Sequence, residues 1–231
     1  MKRSIIALTL ATAASLAYGQ ALSAGISFQA SPYWLYEKGG TDKDNHTSTI
    51  LNELGMGFGV FVDASYVQAS LGYRHVAFNG ATQAFIVDGE EDSSTSYEDN
   101  GAGYAYLSVE LLGKYPIGMG GFTLNPLLGF GFDLCLGVTD GNGDPRAASD
   151  IMDLSGAEAG FSYYNVLSLK AGVSADFDAG ERFYVRPEAL FFYALHQPQL
   201  ADWNESASGM ADYVRTGIIG LDLGLRVGYR L

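Results

Sequence analysis

Gly217 to Leu231 reads GIIGLDLGLRVGYRL, and its period decides the fold. Gly217, Ile219, Leu221, Leu223, Leu225, Val227, Tyr229 and Leu231 fall on one side of an extended chain. Ile218, Gly220, Asp222, Gly224, Arg226, Gly228 and Arg230 fall on the other. Side chains at i and i+2 share a face of a strand, so one face is apolar and the other is small or charged. The run is about 15 residues, against the roughly 5–6 of a soluble strand.

Seven further segments show the same alternation. Their apolar sides run Ile26 to Tyr36, Leu54 to Val62, Val67 to Tyr73, Ala105 to Ile117, Phe122 to Leu136, Leu167 to Phe177, and Phe183 to Tyr193. Pro32, Pro126 and Pro187 each remove a ladder hydrogen bond, so each is expected to mark a bulge or a strand end. The connections alternate in length. Long polar stretches near residues 38–50, 78–100, 139–162 and 196–214 are read as loops. Tight turns sit at Asp63-Ala64-Ser65, Gly118-Met119-Gly120 and Asp178-Ala179-Gly180. Short turns at one end and long external loops at the other are the layout of an outer-membrane barrel. The expectation is all-β: an eight-stranded antiparallel up-and-down transmembrane β-barrel with short periplasmic turns.

Side-chain volume sets the orientation. The apolar faces carry Phe, Leu and Tyr, too bulky for a narrow lumen, and a closed barrel leaves no strand edge in hydrocarbon. The opposite faces carry Gly and Ser with scattered ions. The expected lumen therefore holds Arg74, Glu110, Lys114, Asp133, Lys170, Arg186, Glu188, Asp222 and Arg226, nearly balanced in charge as burial requires. These ions either brace the lumen or line a conduit. Cys135 is expected to face the lumen as inert packing. Tyr33, Trp34, Tyr36, Tyr115, Phe122, Tyr163, Tyr164 and Tyr213 are expected at the two membrane interfaces.

Composition agrees. Charged residues make up 17% of the 231, and Gly numbers 30. A soluble protein averages about 25% charged. The net charge of −13 argues against nucleic-acid binding. Most acidic residues lie in the long stretches, densest at Gly89-Glu90-Glu91-Asp92. One cysteine excludes an intramolecular disulfide. Lys2 and Arg3, the apolar run Ile5 to Leu16, and Ala17-Tyr18-Gly19 read as a cleavable signal peptide over residues 1–19, with the barrel domain at 20–231. No run is long enough for a membrane helix of ~20 residues.

Chemistry finds little support. The three histidines are His46, His75 and His196, and no metalloprotease, nucleophile-elbow or phosphate-loop motif occurs. His75 is the one strand candidate for a hydrolase, and no motif supplies its partners. Asp140-Gly141-Asn142-Gly143-Asp144 resembles the start of a calcium loop, but Pro145 and Ile151 stand where Gly and Glu are needed. No catalytic residue, cofactor or metal is expected.

The architecture resembles the small outer-membrane barrels of the OmpA, OmpX and OmpW type over the whole mature chain. Leu223, Leu225, Val227, Tyr229 and Leu231 resemble the alternating signal read by the barrel-assembly machinery, with Leu231 in place of the usual aromatic. The resemblance implies outer-membrane lipid as surroundings and assembly by that machinery. Signal, length and single-domain layout are closest to OmpW-like proteins, which implies a narrow channel or conduit for small, often hydrophobic, solutes. The alternative is a surface barrel that binds host or surface ligands through acidic external loops, without transport.

Overall fold

The computed structural model describes residues 22–40, 46–88, 90–97, 103–153, 156–198 and 213–231. The expected signal peptide lies outside these. Ten strands form one sheet: β1 (Leu22–Gly40), β2 (His46–Ala64), β3 (Val67–Val87), β4 (Glu90–Tyr97), β5 (Gly103–Lys114), β6 (Ile117–Gly118), β7 (Thr123–Thr139), β8 (Val166–Asp178), β9 (Phe183–His196) and β10 (Tyr213–Arg230). Eight of them make the wall in the order β1-β2-β3-β5-β7-β8-β9-β10, every neighbour antiparallel. Pairing of β1 with β10, from Ser23↔Arg230 upward, closes the barrel. The chain is an all-β, eight-stranded outer-membrane-type barrel.

The wall is inside out relative to a soluble protein. Met56, Phe58, Val60, Leu128, Phe130, Leu223 and Leu225 all point outward and exposed, Phe58 at 62%. Arg186, Lys170, Asp222 and Arg226 are at most 3% exposed. An apolar patch of this extent is stable only against another apolar phase, and hydrocarbon meets that need around the full circumference. We expect Leu128→Arg or Phe58→Arg, mid-belt, to destabilise the barrel in lipid vesicles by ~2–4 kcal/mol. The same change at Ser65, in the turn between β2 and β3, should cost under about 0.5 kcal/mol. Urea unfolding followed by heat-modified gel mobility reads both.

Two expectations fail on the strands. The stretches 38–50 and 78–100 are not simply loops. β1 and β2 remain paired from Leu22↔Ala64 to Gly40↔His46. β3 continues to Val87 and folds back as β4, pairing from Ala81↔Tyr97 to Val87↔Glu90. Backbone pairing needs no apolar face once the strands stand in water, so the missing alternation hid this extension. It projects beyond the belt as a sheet of β10, β1, β2, β3 and β4. The prolines also differ from expectation. None coincides with a register shift; those fall at Leu51/Glu53, Phe85/Ile86, Ala105/Tyr106 and Leu167/Ser168. Pro32 and Pro187 instead sit in two-residue gaps of one ladder, β1–β10 and β8–β9, whose register is the same on both sides. Pro126 sits where the partner of β7 changes from β6 to β5. A missing N–H is cheapest where a ladder is already interrupted.

Inward glycines let the bulky lumen side chains fit. A Cβ on Gly228 would lie 2.3 Å from the Tyr184 ring, and one on Gly220 would lie 2.4 Å from Phe192. At Gly172 and Gly129 the obstacle is backbone: the Ala189 carbonyl oxygen at 2.0 Å and that of Leu111 at 2.1 Å. The wall coils tightly at those two positions, over the buried cluster of Leu112, Leu127 and Leu190.

Candidate functional site: the lumen, its plug and the projecting sheet

All nine lumen ions read from the sequence point inward. They join one chain of contacts along the barrel. At the turn end, Lys114 Nζ meets Asp63 at 2.7 Å and Arg186 Nη2 meets it at 2.6 Å. Arg186 also grips Asp176 with Nε and Nη2, and donates from Nη1 to Gln68 Oε1 at 2.6 Å. Gln68 passes the chain on, donating to Glu188 at 3.2 Å. Arg226 bridges Glu188 at 2.6 Å and Glu110 at 3.2 Å. Lys170 joins Glu110 to Asp222, the latter at 2.6 Å. Arg74 donates to Asp133 at 3.4 Å and to the Tyr33 hydroxyl, and lies 3.9 Å from Asp222.

Five cations thus face six carboxylates. Hydroxyls complete the set: Ser108 donates to Asp133 at 2.5 Å and Ser70 to Glu110 at 2.9 Å. Aromatic faces cover the guanidinium groups, Tyr184 at 5.0 Å from Arg186 and Phe61 at 5.5 Å from Arg226. Most of these ions meet two or more partners, the condition under which buried charge is tolerated, while Arg74 Nη2 and Arg226 Nη1 find no hydrogen-bond partner among the described residues. Beside Arg74 and Glu110 the packing leaves a cavity of about 20 Å³, also lined by Ser27, Gln29, Ser70 and Ser108. That is space for about one water. It is not a bore.

Sequence reasoning missed Asp63, Gln68, Asp176, Tyr33 and Tyr184 as members of this network. Asp63 was read as a turn residue, yet β2 runs to Ala64 and Asp63 is 3% exposed. Gln68 is uncharged and Asp176 sits near the turn end of β8, so neither stands out on the polar face of the alternation.

Above the ions the mouth is closed by apolar side chains. Tyr33, Val76, Tyr106, Cys135, Val138 and Phe192 come from the wall. Ile151, Tyr163 and Tyr164 come from the segment between β7 and β8 and pack onto them. Ile151 is 1% exposed. Tyr163 and Tyr164 lie on a short 3-10 helix, Phe161–Tyr164. Gly160 enters it at φ 63°, a left-handed turn that suits glycine. Asn165 Oδ1 accepts the Cys135 N–H at 2.8 Å and pins the far end. Burial pushes the Tyr164 phenol up, so it stays neutral over the physiological range. Tyr33, Tyr163 and Tyr164 were expected at the membrane interfaces and instead fill the mouth. Tyr33 takes the inward parity of β1, between outward Pro32 and Trp34. Tyr115, by contrast, is exposed on the outer wall near the turn end. Cys135 faces the lumen, buried.

Other sequence candidates lie apart. His75 is exposed on the outer face, opposite Met56 and Ala105. His196 ends β9 and, with Phe132, Tyr163 and Leu167, lines a groove of about 420 Å³ on the outer wall. The Asp140 carboxylate accepts the N–H groups of Asn142 and Asp144, which makes it a turn former. Leu223, Leu225 and Val227 stand on the outer face, Tyr229 packs edge-on against Phe183, and Leu231 is 74% exposed.

No family model and no curated protein matches the chain. Among solved structures, the translocator domain of the autotransporter NalP from Neisseria meningitidis is similar over 90% of this chain and 88% of that one, at 11% identity and a TM-score of 0.24. The transport unit of the autotransporter AIDA-I from Escherichia coli is similar over 91% and 89%, at 10% identity and a TM-score of 0.26. Superpositions this loose carry no argument about activity; the fold rests on the ladders described above.

Proposed function

We propose that the chain is an outer-membrane surface barrel that binds partners through its external end and has no open axial pore. One observation carries this reading: the lumen is filled, by the ion chain below and the Ile151–Tyr164 plug above. A solute on the axis would have to break several charge-assisted bonds at once. The external end offers what the lumen does not, a projecting sheet with the exposed acids Glu90 and Glu91 at its far hairpin. No catalytic step belongs to this reading.

Planar-bilayer recording tests it. The purified barrel is expected to give no sustained conductance, and deletion of the plug residues 148–164 to give little more, because the ion chain lies beneath. Steady conductance of the intact barrel, altered by Lys114→Ala or Arg226→Ala, would overturn the proposal.

A conduit for small apolar solutes is the second reading. What favours it is the 420 Å³ groove, which shares Tyr163 with the plug, so that movement of one helix turn would join groove and mouth. Solute-dependent liposome swelling would support it.

A further inference from the structure

We infer that β4 is a docking edge that takes up an extended, cationic polypeptide segment of a partner as an added antiparallel strand. The inference rests on the surface-binding reading and names the kind of partner. Every backbone N–H and C=O that does not face β3 must find another acceptor or donor. β4 pairs with β3 on one side, and among the described residues no strand pairs with its other side. Below the projecting sheet β10 returns to β1 and closes the wall; the sheet's other free edge among the described residues, Tyr213 to Ile218 of β10, carries Arg215 and no acid. Lower down, β3 is covered by β5, up to Ala77↔Gly103, and β4 replaces it only from Ala81 onward. The edge therefore stands beyond the membrane belt, in water.

The sequence of β4, EEDSSTSY, shapes the occupant. Exposed edges are usually blunted by lysine, proline or a bulge on the outer side. β4 has neither lysine nor proline; its one bulge falls at Asp92, between Phe85↔Ser93 and Ile86↔Glu91, and leaves Ser93 to Tyr97 in regular register. The stretch Ser93-Ser94-Thr95-Ser96 is made of small residue types, and Ser94 is exposed. Glu90 and Glu91 are exposed, and Asp92 follows them, so one end of the edge is strongly acidic. A strand added here gains main-chain hydrogen bonds along its length, and charge selects lysine or arginine opposite Glu90 to Asp92. A second copy of this chain is the poorer occupant, since each copy is itself acidic at −13.

The test uses the whole barrel in detergent micelles and three fluorescent octapeptides. One alternates Lys and Val, one alternates Glu and Val, and one is the Lys-Val peptide N-methylated at every second residue. The Lys-Val peptide is expected to bind. N-methylation of its bonding edge, which keeps charge and composition, is expected to weaken binding about tenfold or more. The Glu-Val peptide should not bind, and Glu90→Lys with Glu91→Lys should reverse the preference. Equal binding of the methylated peptide would mean attraction by charge alone and would overturn strand addition. No binding of any peptide, or dimerisation of the barrel through β4, would overturn it too. These failures are separable from failure of the surface reading, which bilayer conductance decides.

Discussion

Lys170→Met should unfold the barrel more readily than any single change on its surface. Lys170 is 1% exposed and holds Glu110 and Asp222 together. Methionine keeps the length of the side chain and removes the charge. Two carboxylates then face one another with Arg226 and Arg74 as their remaining counter-ions. Breaking a buried pair by deleting one partner costs ~3–5 kcal/mol, because the desolvated charge left behind is uncompensated. The urea midpoint for loss of the folded gel band should fall accordingly. Arg230→Ala serves as the contrast. It removes an ion pair with Asp178 whose side chains are 37% and 68% exposed, and such pairs are worth about 0–1 kcal/mol. Adding Glu110→Gln and Asp222→Asn to Lys170→Met should recover much of the loss. A Lys170→Met barrel as stable as the parent would show that these charges are not buried together.

Gly172→Ala and Gly129→Ala should be among the most damaging changes of a single methyl. At both sites the new Cβ meets a neighbouring strand's carbonyl, 2.0 Å from Ala189 and 2.1 Å from Leu111. Backbone cannot rotate aside as a side chain can, so the wall must shift. We expect a loss at or beyond about 3 kcal/mol, the upper part of the usual range for overpacking. Refolding into detergent, scored by the heat-sensitive gel band, measures it. Gly228→Ala is the informative partner. Its obstacle is the Tyr184 ring, so Gly228→Ala with Tyr184→Ala should fold better than Gly228→Ala alone. No truncation of a side chain should rescue Gly172→Ala. Full folding of both backbone variants would mean that the wall is less tightly coiled there.

The barrel was legible because a bilayer imposes a strict code. Outward Leu223 and inward Asp222 alternate by necessity, and a single slip in parity would put a charge into lipid. The same code located Arg74, Glu110, Lys170 and Arg226, since an ion within an apolar alternation has only the lumen to face. It fell silent wherever the bilayer ended. The β3–β4 hairpin carries Ser, Thr and Glu without alternation, because water surrounds it. The plug was invisible for another reason. Ile151 and Tyr163 are drawn into the mouth by Val76 and Tyr106, residues far away in sequence, and no local pattern encodes that meeting. Tyr33 was misplaced because an amphipathic ring serves equally well at an interface or over a guanidinium, and only Arg74 across the lumen decides between them.

Closure through β1 and β10 has a consequence for biogenesis. The ladder from Ser23↔Arg230 joins the first and the tenth strand, so the ring cannot be completed until β10 arrives. A polypeptide interrupted before Tyr213 would display two raw flanks, on β1 and on β9, each with a full row of unsatisfied amides. Such an intermediate is sticky toward itself and slow to resolve, given how distant its pairing partners are. Loss of β10 is therefore expected to yield aggregate rather than a seven-stranded barrel.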